Sequence, residues 1–127
     1  MRALVRAGLV PYSWVLLTRG RKTGLVRSVP VVLVELEGRQ WLVAPYGVVS
    51  WVHNARAAGR VQLVRRRDVR TYAVREVSDP QEAAPVLHRY VQIGSATRDY
   101  FRADRRDPVE AFVADAADHP VFELTRL

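Results

Sequence analysis

Residues 19–27 read RGRKTGLVR, and Arg19, Arg21, Lys22 and Arg27 stand there with no Asp or Glu among them. A turn needs Gly, Asn, Asp or Pro to reverse the chain and gains nothing from cations. Charges of one sign so close together repel, so the cluster points to an anionic partner. Guanidinium and ammonium groups donate well to phosphate and carboxylate. Gly20 and Gly24 are free to adopt positive φ and turn backbone N–H groups outward, as in an anion nest. The alternative is a solvated hairpin tip.

A second candidate is residues 45–54, PYGVVSWVHN, where a loop through Gly47 runs into a helix start at Ser50. Unpaired N–H groups and the positive end of a helix dipole suit a phosphate or a polarised carbonyl. The same segment also reads as a plain strand-to-helix connection with Trp51 in the core. Tyr46, Tyr90 and Tyr100 each offer a hydroxyl to a substrate, although most tyrosines pack with only a polar tip. His53, His88 and His119 lack ligand spacing and there is no cysteine, so neither a metal nor a disulfide is expected. No Ser/His/Asp set and no pair of carboxylates at acid–base spacing stands out. Arg65, Arg66 and Arg67 form a basic run without interleaved aromatics, which favours a solvated, guarded strand edge over nucleic acid.

Charge is uneven along the chain. Residues 1–75 carry 14 Lys and Arg against 3 Asp and Glu, whereas residues 76–127 carry 6 against 10. An acidic ligand belongs with the first part. The 127 residues suffice for one domain, 1–127, with its own core. The N-terminal apolar run is cut by Pro11, too short for a membrane span, and a cytoplasmic location is expected.

Certain elements have to position these residues. Residues 13–19 and 26–36 suit two strands joined by the basic turn, with Pro30 at an edge or bulge. A hairpin turning at Gly38 leads to a strand around residues 40–44. A helix capped by Ser50 and stopped by Gly59 follows. A second hairpin reverses near Arg66 to Asp68 and points Val61, Leu63, Tyr72, Val74 and Val77 inward. Asp79, Pro80 and Glu82 mark the start of another helix, delayed or bent at Pro85. One or two short helices and a closing strand complete the chain. Five or six antiparallel strands with peripheral helices make an α+β fold, a small barrel.

The turn LLTRGRKTGLVRSVP, followed by PYGVVSWVHNARAAGRVQL, resembles the deazaflavin-dependent nitroreductase family of split β-barrel oxidoreductases. That family combines a T-x-G-R-K-[ST]-G-x-x-R turn with a W-x-x-N helix, and the likeness extends to the terminal HPVFELTRL. The resemblance implies a flavin-reductase-like split barrel that binds coenzyme F-420, an 8-hydroxy-5-deazaflavin. It implies that Arg21, Lys22 and Arg27, with Gly20, Thr23 and Gly24, grip the phosphate and oligoglutamate tail. It places Pro45, Tyr46, Gly47, Val48, Trp51 and Asn54 along the ring.

The activity so implied is hydride transfer from reduced deazaflavin to a small electron-poor acceptor, an enone, quinone or nitro compound. Tyr100 is the first candidate for proton donor and Tyr46 the second. The segment IGSATRDYF departs from the nitroreductase pattern, with Thr97 where another tyrosine stands. An FMN-binding reductase and a non-catalytic F-420 carrier are the alternatives. Monomer and homodimer both remain open.

Overall fold

The computed structural model describes residues 12–94 and 97–127. The run ending at Pro11, and Ser95 and Ala96 before Tyr100, lie outside the described residues. Among the described residues there are seven strands: β1 (Ser13–Arg19), β2 (Val26–Val32), β3 (Val34–Leu36), β4 (Arg39–Val43), β5 (Arg60–Arg65), β6 (Asp68–Glu76) and β7 (Val121–Arg126). Helix α1 spans Ser50–Ala58 and helix α2 spans Pro80–Ile93. Two 3-10 segments, Arg98–Tyr100 and Val109–Asp115, precede β7.

All seven strands form one antiparallel sheet in the order β2-β1-β5-β6-β7-β4-β3. The stretch 26–36 is two strands rather than one, which raises the strand number above the five or six expected. Its halves are the two opposite edges of the sheet, and Leu33 alone separates them. A sheet whose first and last strands are joined by one residue must curl until its edges meet at that corner, and the result is a split barrel. Leu33 is buried and donates its N–H to the carbonyl of Tyr12, 2.7 Å away. Pro30 lies on the edge strand β2, where no outer partner needs its missing N–H.

Alternation along the strands separates two cores. Leu42, Ala44, Phe122 and Leu124 face one side with Leu16, Leu63 and Tyr72, and α1 adds Trp51, Val52 and Ala55 to this cluster. Trp41, Val43 and Val121 face the other, where α2 packs Ala83, Val86, Leu87 and Tyr90 beside Phe101 and Phe112. Gly59 ends α1 at φ 72°, donating to Ala55 O, as its residue type predicts. Asp79 caps α2 by accepting from Gln81 N, and the helix runs through Pro85 without a late start. Glu82 does not reach back to the cap. It pairs with Arg75 of β6, which also meets Glu123 of β7 at 2.8 Å, so one guanidinium ties α2 to the sheet.

Candidate functional site

The basic turn folds back on itself through its own polar groups. Gly20 N donates to Leu25 O, Gly24 N to Gly20 O, and Arg19 Nη1 to Gly24 O, at 2.7, 2.8 and 2.7 Å. Leu25 N donates to the Thr23 hydroxyl. The glycine amides are therefore committed inside the turn and do not form the expected nest. Gly24 does adopt positive φ, at 74°. Gly20 is glycine for a different reason: a Cβ there would lie 2.9 Å from Thr23 Oγ1 and 3.1 Å from Leu25 O. Gly20→Ala is expected to lower stability by about 1–2 kcal/mol, read as a shifted urea midpoint with unchanged slope.

With Arg19 used to close the turn, Arg21, Lys22 and Arg27 remain exposed around a cleft of about 570 Å³. Among the described residues no carboxylate forms an ion pair with any of the three. The buried Asn54 of α1 positions the turn. Its Oδ1 accepts from both the backbone N and Nη1 of Arg21, and its Nδ2 donates to the buried Thr18 hydroxyl, each at 3.2 Å. Thr18 sits opposite Arg27 in the β1–β2 register, so the same network anchors both ends of the cationic stretch.

The floor of this cleft includes the start of α1. Val49, not Ser50, is the N-cap residue; no side chain caps the helix and its first turn has no acid. Ser50 is the first helical residue and lines the cleft with Trp51. The uncapped, positive end of a nine-residue helix therefore adds to the field of the three cations.

A second, apolar pocket of about 520 Å³ adjoins the first, and Val29, Val49 and Trp51 line both. Its other walls come from β2, from Pro45 and Tyr46, and from the end of α2 with Thr97. Tyr46 is 60% exposed and meets Tyr100 edge to face, with centroids 4.9 Å apart. Tyr100 does not line the pocket; it touches it only through Tyr46. Gly47 and Val48 line neither cavity, and Gly47, at φ 88°, closes the turn by donating to Ala44 O.

The structure thus brings together Gly20, Arg21, Lys22, Thr23, Arg27, Trp51 and Asn54 around one cleft, and Pro45, Tyr46 and Trp51 around the other. Gly24 belongs to the turn but lines neither. Sequence reasoning missed the β2 walls, and it marked Thr97 as standing where a tyrosine would without giving it a part in the site. Val29 to Val32 read as ordinary strand, and the signal available was that an edge strand next to a cationic turn has one face free. Among the described residues no group of His, Asp and Glu has metal-binding geometry, and no helix is long and apolar enough to cross a membrane.

A family model described as F420H(2)-dependent quinone reductase matches residues 6–113. No curated protein matches the chain. Among solved structures, an F420-H2 dependent reductase (FDR-A) superposes with a TM-score of 0.64 at 23% identity, covering 91% of this chain and 95% of the other. A structure described as a domain-swapped dimer gives a TM-score of 0.64 at 20% identity, over 98% and 92% of the two chains. A nimc/nima family protein from Clostridium acetobutylicum gives 0.59 at 15% identity, over 98% and 80%. At these identities the likeness concerns the fold, a flavin-reductase-like split barrel.

Proposed function

Since the chain belongs to the F420H(2)-dependent quinone reductase family, we propose that the two adjoining cavities hold coenzyme F-420 end to end and that the acceptor reduced there is a small apolar quinone or enone. The chain is an F-420-dependent reductase by family; its acceptor and the residues that act are the proposal. The observation that carries it is the joining of a cationic cleft to an apolar pocket across Val29, Val49 and Trp51. A polyanionic tail and a planar ring in one molecule need that pair of surroundings.

Arg21, Lys22 and Arg27 would hold the phosphate and glutamate carboxylates, with Asn54 fixing Arg21 and the start of α1 adding its dipole. Val29, Val49 and Trp51 would flank the ring and keep water from it. When bound, the reduced deazaflavin supplies the hydride. The protein's part is then to hold an electron-poor acceptor against the ring and to steady the charge that develops on it. Tyr46, exposed in the pocket wall and in contact with Tyr100, would return a proton to the product.

Titration of the apoprotein with F-420 and separately with FMN, followed by tryptophan fluorescence, tests this reading. Saturable binding of F-420 with FMN much weaker is expected, because FMN carries a phosphate but no glutamate tail. Preference for FMN, or binding of neither, would overturn it. Tyr46→Phe should lower kcat about tenfold or more with little change in F-420 affinity, and Tyr100→Phe should have the smaller effect, since its hydroxyl lies outside the pocket. Steady-state rates with one quinone and one enone decide; equal rates in both variants and wild type would remove the two tyrosines from the reaction.

A further inference from the structure

Tyr90 and Thr97 are both buried, 4% and 7% exposed, and both line the apolar pocket. Their hydroxyls are 2.9 Å apart, and either can be the donor. Each hydroxyl carries one hydrogen. Their mutual bond uses one of the two. Whichever oxygen holds the other, that hydrogen has no acceptor among the described residues. Buried donors are rarely left so, because an unmatched one costs free energy. The pocket is the direction in which an acceptor can come.

We propose that the Tyr90–Thr97 hydroxyl pair donates a hydrogen bond to the carbonyl oxygen of the acceptor seated in the apolar pocket. The inference rests on the reductase reading above and adds the contact that orients the substrate. The pair stands on the wall built by α2 and the residues after it, and α2 contributes nothing to the cationic cleft. A ring entering past Val29, Val49 and Trp51 therefore leaves this wall to the second ligand.

The pair is held rigidly. A Cβ on Gly94 would lie 3.3 Å from the Tyr90 ring carbon that bears the hydroxyl, so a larger residue there would have to push that ring aside by a few tenths of an ångström. Phe101 packs on it with centroids 5.8 Å apart. Arg98, next to Thr97, donates Nε to Val91 O at 2.6 Å and Nη2 to Gln92 O at 3.4 Å, clamping the segment to the end of α2.

Burial raises the pKa of Tyr90 above the ordinary phenol value, with the Thr97 hydrogen bond acting the other way and the nearby Tyr46 raising it. The phenol thus stays protonated and acts as a hydrogen-bond donor rather than an acid. As hydride, with its two electrons, reaches the acceptor carbon, negative charge grows on the bonded oxygen and the contact strengthens. The proton that neutralises that oxygen arrives from the pocket mouth, and the pair ends the step unchanged.

The test compares wild type, Tyr90→Phe, Thr97→Val and the double variant in titrations with 2-methyl-1,4-naphthoquinone, with the carbonyl-free 2-methylnaphthalene and with F-420, each followed by isothermal titration calorimetry. The double variant is expected to bind the quinone about tenfold more weakly while its affinity for the hydrocarbon and for F-420 is unchanged. One single variant should stay near wild type, since removing the rear hydroxyl leaves the front one free to donate. Equal quinone binding in the double variant and wild type overturns the inference, and so does an equal loss for the hydrocarbon, which would mean altered shape. If none of the four proteins binds F-420 while the quinone pattern holds, the cofactor reading falls and this contact stands.

Discussion

Replacing both Arg21 and Lys22 by alanine is expected to weaken F-420 binding by about ten- to a hundredfold while leaving the thermal midpoint within a few degrees of wild type. Each charge-assisted contact to a phosphate or carboxylate is worth roughly 1.5–3 kcal/mol. Both side chains are exposed, so solvent screening reduces the pair to about 1.5–3 kcal/mol together. Neither makes an ion pair within the protein among the described residues, so the fold loses little when they go. The same exposure predicts a steep salt dependence: wild-type affinity should fall as ionic strength rises, and that of the double variant should fall less. Fluorescence titration at two salt concentrations reads both. Unchanged affinity in the folded variant would sink the assignment of the tail to this cleft.

The second large effect is expected at Asn54. Asn54→Ala removes the acceptor shared by the backbone N and Nη1 of Arg21 and the donor to Thr18. Leaving such groups unmatched in a buried or half-buried site costs about 2–3 kcal/mol in stability, and it frees Arg21 to leave the cleft, so F-420 affinity should fall as well. Asn54→Asp separates the two consequences. A carboxylate keeps the acceptor for Arg21 but pairs with its charge, so the turn should hold its place while attracting an anion less. Urea unfolding together with F-420 titration gives the answer. An Asp variant that binds F-420 as wild type does would show that Arg21 makes no contact with the tail.

Much of this arrangement is legible in the residues because local chemistry decides it. β1 begins and ends at Ser13 and Arg19 as read, since an apolar run meets a turn rich in glycine and charge. Gly59 and Gly38, both at positive φ, follow from residue type, whereas the positive φ of Glu37 does not. What was not legible depends on parts of the chain distant in sequence. Nothing in VPVVLVEL marks Leu33 as a corner, because the only breaker there is Pro30, three residues earlier, and the break arises only when the sheet closes. Arg19 differs from Arg21 in no property of its own; the fold gives one a turn carbonyl and the other the helix asparagine. Tyr90 reads as one of three tyrosines with a hydroxyl to offer, and nothing local singles it out; its partner Thr97 reaches it only after the chain has turned back. Ser50 fails as a cap because the helix takes in one residue more than its type suggests, and the result is the uncapped end that faces the cleft.

The corner at Leu33 bears on how this chain can change over generations. β2 carries Arg27 and the wall from Val29 to Val32, and β3 begins at Val34 with only Leu33 between. Inserting a single residue between them would slide every side chain of one edge strand to the opposite face, or part the two edges. Either outcome destroys the ligand wall and the barrel seam together. The hairpin tips at Glu37–Gly38 and at Arg66–Arg67 carry no such double duty, so length variation among descendants of this sequence should gather there and spare residues 26–36 altogether.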